Sequence, residues 1–598
     1  MSLLYDLENE AEQPPEPAVR APAAGPVLAI DIGVVHTRAV LLDLVEGGAY
    51  RFVAWGESAT TDRAPWNDVL VGVYRAAEQI EAATGRRIFD EAGDLIMPES
   101  GPFIGVGAFA ATASAGEPIR AVLVGLMPGF SLESGRRAAE STYLTLVDTL
   151  GLAGDYEPED WLDRLLVADA DLIILVGGTD GGATDAVRRH LEAVTLATSL
   201  MPREGRPPLI YAGNEELAFA VQAMGEEAGL TVLTAPNVRP SLHVEVLDGA
   251  QAKLASVFTQ EKLRTTTGMA DMVQWTEYGV QPTAHGYGRM IRLLGGLWDH
   301  DVLGIDVGSS ATTVAACLGG KPYLHAFGWL GVGHAAVETG ERLDLAEIGR
   351  WMAEAPADEV EIADYLHNRA IFPAAIPADR RELEYLYALT REIVRLATLD
   401  ARQGWRGVPP LGLLPRFGTI LLSGATLTRP PHYGWSALMA LDALLPTGVT
   451  RLVLDPYGMT AALGTVAPLN PRAVVQSMDA GVFRELGTVL SLSGQVRPGS
   501  GALRGTIQRE GDEPERFEVA YGSLGVIPLG YGQRATVTLE TPGAVDGLGR
   551  DGTVEVTGGE LGIIVDARGR PWRFARQPEA RREQMRMWQG AMVGRGAP

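Results

Sequence analysis

The chain reads as an α/β protein of two related lobes, with an inserted parallel α/β module and a C-terminal all-β domain. Three observations predict this. An apolar run ending in Asp-x-Gly occurs twice, at Val27–Thr37 and Val302–Thr313, each followed by a second apolar run (Ala39–Leu42; Val314–Leu318). Between the copies, from Asp171 to Thr234, strand and helix patterns alternate at βαβ spacing. Beyond Pro468 the alternation gives way to short runs separated by Gly- and Pro-rich turns.

Short apolar runs bounded by glycine are buried strands, so each copy is a hairpin with a carboxylate at its turn. Gly33 and Gly308 lack a Cβ and let backbone N–H groups approach an anion, while Thr37, Ser309 and Thr312 can add hydroxyls. Asp31 and Asp306 cannot bind phosphate directly, but they can hold a hydrated Mg²⁺ that does. One Asp-x-Gly is an ordinary turn. The matched pair points further, to two lobes gripping one nucleotide from opposite sides.

A chain of 598 residues exceeds what one core supports and predicts three or four domains. Hydrophobic residues at 46% and charged residues at 21% are ordinary for a globular protein. A net charge of −25 argues against nucleic acid or an anionic membrane as a partner, since both need a basic face. The single cysteine, Cys317, lies in an apolar run; it reads as a buried structural thiol and suits a reducing compartment. No uncharged run reaches membrane-spanning length and the acidic N-terminus lacks a signal-peptide pattern, so the expectation is a soluble cytoplasmic protein.

In order, residues 1–25 are Glu- and Pro-rich and predict a mobile tail. The first lobe is expected over 26–165, with the Val27–Val45 hairpin, a third strand at Tyr50–Ser58, a helix over Trp66–Thr84 stopped by Gly85, a strand at Ile119–Leu126 and a helix over Leu132–Leu150. The module, 166–240, follows: strand Asp171–Val176, the turn Gly177–Gly182, helix Thr184–Leu200, strand Pro208–Ala212, helix Glu215–Gly225 and strand Leu230–Thr234. Its Gly-rich turn could place a phosphate at a helix N-terminus or be only a tight turn; it is neither a Walker A loop nor a dinucleotide fingerprint. The second lobe, 241–467, carries helices at Ser256–Met269, Gly286–Leu294 and Leu383–Leu399. It also holds the Gly/Ser turn Ser423–Thr428, with Gly424 and Ala425, where an adenine could lie against bare backbone, although the same residues equally suit an empty turn. The β domain spans 468–576, and the basic segment 577–598 reads either as a docking helix for an acidic partner or, more simply, as a solvated tail helix.

Together these segments resemble the glutamate mutase accessory proteins of the MutL type, within the actin, sugar kinase and heat-shock chaperone superfamily. Asp31-Ile32-Gly33 with Thr37 is similar to the first phosphate hairpin, Asp306-Val307-Gly308 to the second, and Ser423–Thr428 to the adenosine turn. Leu175–Gly182 is similar to that family's own Gly-Gly-Thr-Asp-Gly-Gly stretch. The resemblance implies an actin-like (ribonuclease H-like) fold binding ATP and Mg²⁺, in an accessory protein that helps maintain or exchange the cofactor of an adenosylcobalamin-dependent mutase. Two departures stand out. Where the family reads Gly-Ala-Thr-Thr-Asp, this chain reads Ser309-Ser310-Ala311-Thr312-Thr313, and the adenosine turn has Gly424-Ala425 in place of Gly-Gly. With an acidic group missing at Thr313, the expectation is a nucleotide switch with weak ATPase activity at most.

Two other classes use the same fold. A metabolite kinase needs a carboxylate base near the transferred phosphate, and Asp180 is the motif-bound candidate. A nucleotide-binding scaffold that polymerises is the third. His36 reads as a turn residue, and no Asp-x-His-x-x-Gly motif is present for cobalamin binding in the mutase's own mode.

Overall fold

In a computed structural model of the chain, the described residues are 25–594 without 152–157, 355, 357, 406, 410, 411, 479, 480 and 550. Residues 1–24 of the expected tail lie outside them. The first lobe opens with an antiparallel meander, β1 (Val27–Ile32), β2 (His36–Val45) and β3 (Ala49–Ala59), and β4 (Ala108–Ala113) lies parallel to β1 on its other edge. β1 is buried along its whole length, which is why its run Val-Leu-Ala-Ile does not alternate. The helix Val69–Thr84 packs on β3; Asp68 caps it by accepting from Leu70 N, and Gly85 ends it at φ 73°. Its Val69, Val73, Ala76, Ala77 and Ile80 recur at helical spacing and are buried.

The inserted sheet has five parallel strands, β5 (Ile119–Val124), β6 (Leu144–Leu150), β7 (Leu172–Leu175), β8 (Leu209–Tyr211) and β9 (Val232–Thr234), ordered β6-β5-β7-β8-β9. It begins at Ile119, well ahead of residue 166 where the sequence patterning places it. The difference has one source. Leu132–Leu150, which reads as a single helix, is the helix Ser131–Ala139 followed by β6. Pairing with β5 claims Leu144–Leu150, a non-local contact that overrides local propensity.

The chain returns through the helix Asp248–Thr265 to β10 (Gln281–Pro282), which pairs with β4 and completes the order β10-β4-β1-β2-β3. The second lobe repeats this plan. β11 (Val302–Val307), β12 (Thr312–Leu318) and β13 (Lys321–Phe327) form the meander, and β14 (Thr419–Ser423) and β15 (Gly448–Leu454) extend it in parallel. Order and direction match the first lobe strand for strand.

The β region is partly fused to that lobe. β16 (Arg484–Ser491) pairs antiparallel with β15, and of the strands that follow, β17 (Ala502–Arg509), β18 (Glu515–Ala520), β19 (Leu524–Ile527), β20 (Arg534–Leu539), β21 (Thr553–Thr557) and β22 (Ile563–Asp566), two join the same sheet as β16-β22-β19. The remainder, β18-β17-β20-β21, is a sheet of its own. The basic C-terminal segment is not a solvated tail. The helix Pro578–Val593 buries Met585, Trp588, Met592 and Val593 in the second lobe's core, and Trp588 Nε1 donates to Gly522 O at 2.9 Å. Beside it, Asp566 takes Arg568 and Arg570 at 2.8 and 2.7 Å; burial opposes its ionisation, but the two guanidiniums hold its carboxyl well below the usual range. Cys317 is buried, and no helix among the described residues is long and apolar enough to cross a membrane.

The helices Thr283–Trp298 and Thr460–Val466 cross between the lobes at two glycines. A Cβ on Gly464 would lie 1.8 Å from Gly286 O, and one on Gly286 would lie 2.3 Å from Ala461 O. Backbone cannot yield as a side-chain tip can, so the crossing tolerates no methyl group. Gly464→Ala is expected to lower stability by about 2–3 kcal/mol. Urea unfolding would show it as a lower midpoint at unchanged slope.

Candidate functional site

Both hairpins make the same turn. Gly33 N donates to His36 O at 3.0 Å and Gly308 N to Ala311 O at 2.9 Å, and a Cβ at either glycine would come within 2.8 or 2.9 Å of that carbonyl. Register then decides what faces the space between the lobes, because cross-strand partners project to one side of a sheet. Asp31 pairs with Arg38 and Asp306 with Thr313. Asp31, Arg38 and Asp306 line the inter-lobe cavity, while Thr313 is buried and hydrogen-bonded to Tyr143.

Thr37 and Thr312 belong to the other face. Thr37 Oγ1 lies 3.0 Å from Thr60 Oγ1, Thr312 Oγ1 donates to Leu330 O at 2.7 Å, and both side chains are fully buried. Two of the three hydroxyls expected at the phosphates are therefore engaged inside the lobes. The cavity, about 560 Å³, brings together Asp31, Gly33, Asp306, Gly308, Ser309, Gly424 and Ala425. Gly424 stands at φ 92° with a would-be Cβ 2.1 Å from Val307 O, so only glycine fits where the turn meets the second hairpin.

Asp180 is elsewhere. It sits in the turn after β7, where Oδ1 accepts from Glu215 N at 3.0 Å and Asn237 Nδ2 at 2.8 Å, and it is not among the residues lining the cavity. Asn214 closes the same turn by accepting from Gly181 N and donating to Gly182 O. The Gly177–Gly182 stretch is held by its own polar contacts.

Three carboxylates, buried Asp31 and Asp455 and half-buried Asp306, line a small recess beside the cavity. Asp31 Oδ1 accepts from Thr112 Oγ1 at 2.8 Å and Thr283 Oγ1 at 2.9 Å. Burial raises its pKa, opposed first by Arg38, whose Nη1 is 3.9 Å from Oδ2. Asp455 accepts from Met459 N, Thr460 N and Thr460 Oγ1 at 2.9, 2.8 and 2.6 Å, capping the helix Thr460–Val466. Asp306 has the least help: burial, then the charges of Asp31 and Asp455, push its carboxyl up to about 7, with Arg38 opposing.

Arg38 also ties the lobes together. Its Nε donates to Glu57 at 2.9 Å, and Glu57 takes both Nη atoms of Arg429 from the second lobe at 2.8 and 2.9 Å. Burial opposes the charge on Glu57, but Arg429 and Arg38 bring its carboxyl down to about 2. Lys262 adds a cation to the cavity wall, Nζ donating to Glu117 O at 2.7 Å; burial lowers its pKa to about 8. Sequence reasoning missed Arg38, Lys262 and Arg429. Only Arg38 carried a signal, seven residues after Asp31 across a short turn; the others come from distant segments. For a metal, crowded carboxylates with raised pKa values fit a hydrated divalent cation, and no group of three or more His, Cys, Asp or Glu suited to caging an ion occurs among the described residues.

Two repeated lobes of order 3-2-1-4-5, closing with paired Asp-x-Gly hairpins on one cleft, define a protein of the actin-like, ribonuclease H-like fold. The chain belongs to the MutL protein family, whose model matches residues 27–481. Protein MutL of Clostridium tetanomorphum is 22% identical over 301 residues, 49% of this chain and 58% of that protein. Among solved structures, acetone carboxylase in its nucleotide-free form aligns over 82% of this chain and 80% of its own at 11% identity, with a TM-score of 0.32. Diol dehydratase-reactivating factor, also nucleotide-free, aligns over 74% and 99% at 12% identity, with a TM-score of 0.28. Scores of this size carry no argument about activity.

A carboxyl whose pKa rises on folding costs stability wherever the unfolded chain ionises it more readily. For Asp306 that cost grows as pH rises from the ordinary 3.8 and is complete above about 7. Asp306→Asn is therefore expected to match the wild type in thermal midpoint near pH 4 and to exceed it at pH 8 in metal-free buffer. A difference independent of pH between those values would show that Asp306 is not the strained group.

Proposed function

We propose that the chain is a cytoplasmic ATP-binding accessory protein for an adenosylcobalamin-dependent mutase, with glutamate (methylaspartate) mutase as the particular client. Membership in the MutL family supports the class of client. The observation that carries nucleotide binding is the pair of identical turns, Gly33–His36 and Gly308–Ala311, facing each other over Asp31 and Asp306. In this reading the backbone N–H groups of both turns hold the phosphates, Arg38 and Lys262 balance their charge, and Gly424-Ala425 leaves room for the adenosine. Asp31 and Asp306 would hold a hydrated Mg²⁺, which would supply positive charge to offset that of the phosphates.

The Arg38–Glu57–Arg429 chain suits a switch. A phosphate drawn to Arg38 competes with Glu57 for it, and Glu57 is also the anchor of Arg429 on the opposite lobe. Nucleotide state is thereby tied to lobe closure, the differential contact a switch requires. Slow turnover follows from the position paired with Asp306, where Thr313 offers no carboxylate to orient water. Asp180, the base a kinase would need, is bonded into its own turn.

Asp31→Asn and Asp306→Asn are each expected to weaken Mg-ATP binding by about tenfold or more with the fold intact. Unchanged affinity in both, by calorimetry, would remove the two-hairpin site. Thr313→Asp is expected to raise basal ATP hydrolysis, and fast turnover in the unmodified protein would refute the switch. The client is tested by adding the protein and ATP to purified, inactivated glutamate mutase with fresh adenosylcobalamin. Recovery of activity that needs both is the expected outcome, and no recovery sinks that assignment.

A further inference from the structure

The helix Thr283–Trp298 works on two sides. Thr283 and Tyr287 face the inter-lobe cleft. His285, Gly288, Arg289 and Arg292, spaced as one helical face, line a second cavity of about 520 Å³. Its other walls are the start of the helix Asp248–Thr265 from the inserted module and Lys321–His325 of β13. Three parts of the molecule meet there, and the volume suits a small molecule.

The charge of this cavity is out of character for a chain of net −25. Arg289, Arg292 and Lys321 line it, against Asp248; Arg137 and Glu245, which also line it, are paired with each other. Glu245 is already engaged by Ser134, Arg137 and Arg239. Arg289 donates Nη1 to Gly464 O at 3.2 Å, and among the described residues neither it nor Arg292 has a carboxylate partner. Burial lowers the Arg289 pKa, the mark of a guanidinium taken from water without a compensating anion. His285 adds a second unmet need. Burial pushes its imidazole down to about 4, so it is neutral at physiological pH; the ring bonds the Ser141 backbone, and Nε2 is buried with no hydrogen-bond partner among the described residues. A neutral ring that donates through one nitrogen accepts through the other.

We propose that this cavity is a second ligand site, taking a small oxyanion that also bears an O–H group, with Arg289 and Arg292 on the anion and His285 Nε2 on the hydroxyl. A guanidinium fork matches the oxygen pair of a carboxylate or phosphate. Two sources share this chemistry, a singly protonated phosphate and a hydroxy-carboxylate. An acidic macromolecule is disfavoured, because it would approach against the chain's own negative charge. The site does not depend on the reading of the inter-lobe cleft, although the helix that builds it also carries Thr283, which donates to Asp31 at 2.9 Å.

The test is calorimetric titration of the full-length protein with inorganic phosphate and, separately, with malate, each with ATP in excess to occupy the cleft. At least one probe is expected to bind, and to lose about tenfold or more in affinity in Arg292→Gln and in His285→Phe, the loss of one charge-assisted or one buried hydrogen bond. Arg292 is exposed, so its substitution leaves the core intact, and circular dichroism checks both variants. Binding of phosphate alone or of malate alone assigns the source, and either supports the site. Absence of binding by both probes at about 10 mM overturns it, a dissociation constant too weak for a built site. So do unchanged affinity in both variants, displacement of the probe by ATP, or binding of a polyglutamate peptide where neither small anion binds.

Discussion

Three carboxylates gathered where the two lobes meet, two of them buried and one half-buried, set the constraint around which the molecule is arranged. Asp31, Asp306 and Asp455 come from the ends of three strands in two sheets, and each repels the others in a medium that screens poorly. Each is treated differently. Asp31 is hydrogen-bonded by Thr112 and Thr283 and Asp455 by the N-terminus of a helix, whereas Asp306 is met by the charge of Arg38 without a hydrogen bond to it. The least satisfied carboxylate thus faces the cavity.

The same arrangement explains the architecture at larger scale. Arg38, which opposes the negative charge of the cluster, is held by Glu57, and Glu57 is shared with Arg429 from the other lobe, so one chain of charges joins the cluster to both lobes. The lobes also touch through two helices whose crossing is glycine on glycine, and through Trp55 Nε1, which donates to Tyr457 O at 3.1 Å. Outside this centre the chain adds mass to one side. β16, β22 and β19 prolong the second lobe's sheet, and the C-terminal helix seals its core through Trp588. The inserted parallel module sits instead between β4 and β10 of the first lobe, where it walls the second cavity and supplies Lys262 to the cleft.

The sequence by itself determined a good deal. The repeated Asp-x-Gly runs set both hairpins, because an apolar run broken by glycine has few alternatives to a buried strand and a tight turn. Asp31, Gly33, Asp306, Gly308, Ser309, Gly424 and Ala425 do meet in one cavity. The family was legible from those turns together with Leu175–Gly182. Tertiary structure decided the rest, wherever the deciding contact lay far off in the chain. Register turned Thr37 and Thr312 inward and Arg38 outward, since a side chain's face depends on its pairing partner as well as its own identity. Pairing with β5 made a strand of Leu144–Leu150, and packing buried a C-terminal helix whose charges suggested solvent. Asp180 could not be placed from its motif, because the partners that hold it, Glu215 and Asn237, lie 35 and 57 residues away. Patterning reports what a residue can do locally; which neighbours it meets is fixed only when distant strands pair.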